Sequence, residues 1–230
     1  MSKKSKSHKN QIKSKSHNPL MKGLKKLKYH IFEDESPIGW IFALIFMFVL
    51  LKFVIIPLLS LGLNTDFPLV AVISGSMEHR LDKSGALCGF KVIGFENNFD
   101  NWWNVCGKYY ENNYNISKND VALFSQKNGF NIGDVMFLYG TKPSKLKVGD
   151  IIVFEGGRSK PIIHRIVKIS NRDGKYFFTT KGDHNAESYS FEQEIPEDKV
   201  YGRAILKIPF IGNIKIFVVN AFEKLIGLFR

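Results

Sequence analysis

Leu69-Val-Ala-Val-Ile-Ser-Gly-Ser-Met-Glu-His79 is the stretch around which the rest of the chain is arranged. Val70 to Ile73 is a β-branched apolar run, the composition of a buried strand bounded by turn chemistry. It stops at Ser74-Gly75-Ser76, where glycine permits a turn or a close backbone approach that a Cβ would hinder. Two hydroxyls are then presented at the mouth of a rigid strand. A serine nucleophile requires that placement: held from behind, open in front, with backbone N–H groups near enough to receive an oxyanion. A Ser-Gly-Ser turn closing a strand is also the ordinary fate of such a tripeptide, so its meaning comes from its surroundings.

Upstream, the charge is lopsided. The 230-residue chain has a formal net charge of +12. Ten lysines (3, 4, 6, 9, 13, 15, 22, 25, 26 and 28) and no acid lie between Met1 and Phe32, so the remainder is nearly balanced. A basic arm often binds nucleic acid, but here an apolar segment follows at once. Ile38 to Leu63 carries one charge, Lys52, and is long enough for a membrane-spanning helix, which needs about 20 largely apolar residues. Its length and late start exclude a cleaved leader. Lysines crowd one flank, and none lies between Phe53 and Glu78 on the other, which predicts a cytoplasmic N-terminus and an exterior domain from about Asn64 onward. The arm reads as a disordered, lipid-attracted topology signal rather than a nucleic-acid binder.

Downstream, short apolar runs separated by Gly, Asn, Asp and Pro predict a mostly β domain. The strand candidates are Val121–Ser125, Asp134–Tyr139, Asp150–Phe154, Ile162–Ile169, Tyr176–Thr180 and Val200–Ile208. Residues 94–129 are rich in Asn and aromatics and read as a cap inserted into the sheet, with Trp102, Trp103, Tyr109 and Tyr110 forming its own small core. Cys88 and Cys106 are the only cysteines, and an exterior location permits a disulfide between them without requiring it. From Asn213 to Phe229 apolar residues recur at helical spacing with Glu223-Lys224 among them, which predicts an interfacial helix rather than a second span. The predicted organisation is a basic tail (1–37), a transmembrane helix (38–63), an exterior β domain (64–212) with its cap, and an amphipathic surface helix (213–230).

A serine hydrolase also needs a base for the hydroxyl proton and a group that orients that base. His8, His17 and His30 lie on the wrong side of the span, leaving His79, His164 and His184. Alternation along Pro161–Ile169 puts Ile162, His164, Ile166 and Lys168 on one face, so His164 is held among aliphatics, as a general base requires. Thr180-Lys-Gly-Asp-His-Asn185 supplies Asp183 in a tight turn. Each element alone has a plain structural explanation.

In this order behind one anchor, they resemble a family. Ser74-Gly75-Ser76-Met77 is similar to the serine box of type I signal peptidases, His164-Arg165 to the box in which bacterial relatives carry a lysine base, and Lys181-Gly182-Asp183 to the aspartate box. Histidine in place of lysine resembles the archaeal and endoplasmic-reticulum branch, and Ile208-Pro209-Phe210-Ile211-Gly212 resembles the family's closing strand. The resemblance implies Ser76 as nucleophile, the Ser76 N–H and Ser74 hydroxyl as oxyanion donors, His164 as base, and Asp183 as its supporting acid. Two positions depart from the pattern. His79 stands where proline is frequent and is a rival base; Tyr189 stands where a second acid is frequent, leaving Glu187 and Glu192 as substitutes.

The implied activity is a membrane-anchored serine endopeptidase removing signal peptides from exported preproteins, with small residues preferred before the cut and no metal or organic cofactor. The implied partners are those signal peptides, the lipid bilayer of the cell membrane or an endoplasmic-reticulum-type membrane, and the translocation channel, with no nucleic acid. The alternatives are a non-catalytic anchored β-domain that binds exported chains, and a DNA binder using the lysine arm, which steep salt dependence would reveal.

Overall fold

The computed structural model describes residues 19–34, 36–157 and 160–209. The predicted helix over 213–230 and residues 1–18 of the arm lie outside them. The chain divides into two compact units, Met1–Pro57 and Leu58–Arg230.

In the first unit, α1 (Pro19–Phe32) makes part of the arm helical where the sequence predicts disorder, with Pro19 at its opening position. Next, α2 (Pro37–Leu50) is capped by the Ser36 hydroxyl, which accepts the Gly39 N–H at 3.2 Å, and Pro37 opens its first turn. A π-helical turn at Leu51–Ile55 leads into α3 (Ile56–Leu63). Pro57 accounts for that turn: it has no N–H to offer the Phe53 carbonyl and its ring crowds the same place, and widening the helix relieves both. The continuous helix Pro37–Leu63 has 27 residues. It displays Trp40, Leu44 and Phe53 outward. At about 1.5 Å per residue it reaches roughly 40 Å, beyond the ~30 Å of a hydrocarbon core. Lys52 lies over the rings of Phe48 and Phe53.

The second unit is built on a seven-stranded antiparallel sheet. In spatial order it runs β1 (Leu69–Ala71), β4 (Val135–Tyr139), β9 (Val200–Ile208), β5 (Ile151–Phe154), β6 (Ile162–Arg172), β7 (Lys175–Lys181) and β8 (Ile195–Pro196). The strands β2 (Ala86–Leu87) and β3 (Phe90–Lys91) pair separately. Every residue of β5 is buried. Ile151 and Val153 join one apolar cluster with Val72, Met77 and Phe130, while Ile152 and Phe154 join another with Ile166 and Phe178. The sheet therefore has apolar cover on both faces, and side chains alternate between them. On β6 a register shift between Ile166 and Lys168 ends the expected one-face series at Ile166, and Lys168 is exposed.

The cap is helical. Asn98 caps α4 (Phe99–Tyr114) by accepting the Asn101 N–H at 2.9 Å, and Asn115 ends it in the left-handed region at φ 53°. The run predicted as a strand at Val121–Ser125 instead begins as the end of α5 (Lys118–Leu123), because Ser117 and Asp120 form a reciprocal capping box. Trp102, Trp103 and Tyr110 are buried, but together with Leu87 and Val167 of β6, so the cap shares its core with the sheet rather than owning one. Cys88 and Cys106 form a disulfide with Cα atoms 5.6 Å apart.

Candidate active site

The nucleophile candidate sits just beyond an edge strand. After β1 the chain turns at Gly75–Glu78, where the Glu78 N–H bonds the Gly75 carbonyl at 3.0 Å. A Cβ at 75 would come within 3.2 Å of the Glu78 carboxylate, a tight contact that glycine avoids. That carboxylate is engaged by Arg80 at 2.7 and 2.9 Å and by the Ile132 N–H at 3.0 Å. Burial opposes its ionisation, but the Arg80 bond and the Ile132 N–H hold it below the usual glutamate range. The backbone of the next two residues is gripped from both sides. The His184 N–H donates to the Ser76 carbonyl at 2.8 Å, and the Phe130 N–H to the Met77 carbonyl at 3.1 Å. Gly129, at φ +66°, lets its loop approach Met77 where a Cβ would strike the Met77 carbonyl. Met77 is fully buried, so the site is anchored in the core directly behind the serine.

His164 reaches that serine. It lies on β6 opposite Ile152, is 4% exposed, and its Nε2 is 2.8 Å from Ser76 Oγ. Its Nδ1 meets the Glu192 carboxylate. A carboxylate only accepts, so Nδ1 carries the proton and Nε2 is left to accept from the serine. Glu192 is fully buried and fixed in turn by the Thr180 hydroxyl at 3.3 Å and the Tyr189 N–H at 3.0 Å. Ser74 Oγ lies 3.2 Å from Ser76 Oγ.

Asp183 does not occupy the place expected of it. Its carboxylate accepts from Arg165 Nη2 at 2.7 Å, Arg165 Nε at 3.0 Å and Tyr110 Oη at 3.0 Å, and lies 3.0 Å from His79 Nε2. Strand alternation supplies the reason. His164 and Arg165 are neighbours on β6 and project to opposite faces, and Asp183 joins Arg165. The carboxylate beside His164 is Glu192, from the turn before β8; Glu187 is exposed. Burial opposes Asp183 ionisation, but Arg165 and His79 hold its carboxyl far below the usual range.

His79 is equally committed elsewhere. Its ring stacks on Trp102 at 3.9 Å, it is 5% exposed, and among the described residues its Nδ1 has no hydrogen-bond partner. Burial pushes it below the ordinary imidazole range, outweighing Asp183. His184 donates its backbone to Ser76, while its imidazole Nδ1 faces the Glu78 carbonyl at 3.2 Å. Lys181 is also buried, bonded to the carbonyls of Gly182 and Asn185 at 3.0 and 2.7 Å, and burial lowers its ammonium to about 8.

A cavity of about 720 Å³ opens beside Ser76 and His164, walled by Leu69, Ala71, Ile73 and Ile162 and flanked by the stacked pair Tyr189 and Phe191. Ser74, Ser76 and His164 converge on this mostly apolar lining, which Lys160 and Asn185 also border, and apolar walls with a few polar groups are the ordinary make-up of a binding cleft. The sequence pointed to Ser76, Ser74 and His164 and left Glu192 among its alternatives. It missed Arg165 as the partner of Asp183, although a buried arginine beside a lone acid is a charge that must be matched.

No protein-family model matches the chain. Among curated proteins, it is 36% identical over 111 residues to the signal peptidase complex catalytic subunit SEC11C of Homo sapiens, covering 45% of this chain and 57% of that protein. The same figures hold for SEC11C of Canis lupus familiaris. It is 35% identical over 105 residues to the signal peptidase complex catalytic subunit SEC11 of Candida tropicalis, covering 43% and 63%. The chain thus spans about three-fifths of the length of the curated relatives it matches.

Proposed function

We propose that the chain is a membrane-anchored serine endopeptidase that removes signal peptides from secretory preproteins. The observation that carries this reading is the 2.8 Å approach of Ser76 Oγ to His164 Nε2, with Glu192 behind the imidazole. The likeness to signal peptidase catalytic subunits supplies the substrate class. In the acylation step, Ser76 Oγ gives its proton to His164 Nε2 and attacks the scissile carbonyl carbon. The oxyanion is received by the Ser76 N–H and the Ser74 hydroxyl, one such donor being worth about 2.7–4 kcal/mol. His164 then passes the proton to the leaving amine, and an ester to Ser76 remains. Water, giving a proton to the same nitrogen, attacks the ester, and the proton returns to Ser76. Glu192 keeps the ring in the required tautomer and stabilises the imidazolium. Asp183, paired with Arg165, supports the neighbouring backbone instead.

The edge strand β1 lines the cavity, and among the described residues its one sheet neighbour is β4, so a substrate strand can lie along it while Ala71, Ile73 and Ile162 select small side chains. The lysine asymmetry favours a cytoplasmic N-terminus with the β domain outside, where preproteins leave the translocation channel. The domain limits in this reading remain 1–37, 38–63, 64–212 and 213–230. The test is cleavage of a preprotein by the full chain in lipid vesicles. Ser76→Ala is expected to abolish it without unfolding the domain. Undiminished cleavage by Ser76→Ala overturns the reading, and binding of the preprotein without cleavage by the wild-type chain favours the anchored binding domain.

A further inference from the structure

We propose that the cap helix α4 is a positioning element for the nucleophile, acting through the Asp183–His184 peptide; this rests on the reading of Ser76 above and deepens it. Trp102, Cys106, Tyr109 and Tyr110 fall at i, i+4, i+7 and i+8, one face of a helix. All four are tied to the same short segment. Trp102 Nε1 donates to the Asp183 carbonyl at 3.2 Å, and Tyr110 Oη donates to the Asp183 carboxylate at 3.0 Å. Tyr109 Oη accepts the Ser188 N–H at 3.0 Å. Cys106 is joined to Cys88, whose N–H donates to the His184 carbonyl at 3.0 Å.

The far side of that segment faces the serine. The His184 N–H holds the Ser76 carbonyl at 2.8 Å, and the Asp183 N–H points at Met77 Sδ at 3.4 Å. The ring of His79, three residues past Ser76, is clasped between Trp102 and Asp183. A helix needed only to cover the sheet would do so with apolar contacts. This one also directs Trp102 Nε1, Tyr110 Oη and its disulfide at Asp183 and His184, whose peptide fixes the nucleophile's backbone, without lining the cavity beside Ser76.

The test uses the full chain in lipid vesicles and two readouts. One is backbone-amide hydrogen exchange at His184; the other is kcat and KM for preprotein cleavage over a range of pH. Tyr110→Phe keeps the ring and its packing, and the disulfide-less pair Cys88→Ala with Cys106→Ala perturbs the same segment differently. Each is expected to speed His184 exchange roughly fivefold, the worth of about one lost hydrogen bond, while β5 amides are unchanged. Each is expected to lower kcat about tenfold with KM held within about twofold and the pH limbs unmoved, as displacement of an attacking atom requires. Unchanged His184 exchange overturns the proposal whether or not the chain cleaves. Faster exchange with unchanged kcat, or a fall in thermal midpoint alone, reduces α4 to a structural cover. Absence of cleavage by the wild-type chain defeats the proposed function instead, and with it the catalytic bearing of α4, while the exchange readout still decides whether the segment is held by the cap.

Discussion

Two histidine–carboxylate pairs lie in one domain, His164 with Glu192 and His79 with Asp183, and they are alike in most respects. Both imidazoles are nearly buried, at 4% and 5% exposure, and both carboxylates are fully so. They differ in what lies on each pair's other side. The second nitrogen of His164 meets a hydroxyl at the edge of an open cavity. Among the described residues the second nitrogen of His79 has no hydrogen-bond partner, its ring face is covered by Trp102, and its acid is already matched by Arg165. A charged imidazolium at His164 would be answered by Glu192. One at His79 would share a carboxylate with a guanidinium in a dry interior, which disfavours it. On the proposed function, an acid beside a histidine is not enough for base chemistry; a reacting atom on the far side and a counter-charge of its own distinguish His164.

The sharpest way to break this contrast is cleavage kinetics. His164→Ala is expected to lower kcat by about 10²–10⁴, the usual worth of a positioned general base. Glu192→Gln is expected to produce a loss within the same range, because the amide no longer fixes the Nδ1–H tautomer. Equal or greater losses in His79→Gln, with His164→Ala active, would invert the assignment. Stability measurements probe the other pair. Asp183→Asn leaves Arg165 buried without its counter-charge and is expected to cost about 3–5 kcal/mol in urea unfolding; a change below about 1 kcal/mol would mean the guanidinium is satisfied by backbone carbonyls alone.

The smallest effect is a pH dependence. Asp183 and His79 are both depressed in the fold. A depressed group contributes stability that is complete above its unfolded pKa and lost as pH falls through the folded one. The unfolded chain takes up a proton at His79 from about pH 6.5 downward, and at Asp183 from about pH 4. Unfolding free energy should therefore decline with acid in two stages. His79→Gln should flatten the upper stage, read as the wild-type minus variant difference between about pH 6.5 and 5. A difference of the opposite slope would mean that His79 is charged in the fold.

Much of this architecture was written in local pattern. Val200–Ile208 reads as a strand and forms one over the same residues, because its alternation and flanking turns agree. Ser76 and His164 were legible because each ends or sits within a β-branched run. The residues read less well were those whose partners lie far along the chain. One misreading was local instead: Val121–Ser125 has strand composition, yet Ser117 and Asp120 just upstream spell a capping box and win. The resemblance sets Asp183 beside His164, whereas its carboxylate lies against His79 and Arg165, because sequence order says nothing about which face of β6 a later turn will meet. Glu192 acquires its role only through the turn at 189–192, which folds its carboxylate back under Thr180. Pairing Cys88 with Cys106 is left open by the sequence and fixed by the approach of α4.

The clasp on Ser76 and Met77 has a further consequence. Their carbonyls are held by N–H groups at positions 184 and 130, and the serine's base and the acid behind it stand at 164 and 192. Each of these contacts joins positions far apart along the chain, so the setting of Ser76 depends on long-range closure rather than on its own turn. On the function proposed above, Ser76 therefore stays an unassisted alcohol until positions 164 and 192 have returned to it.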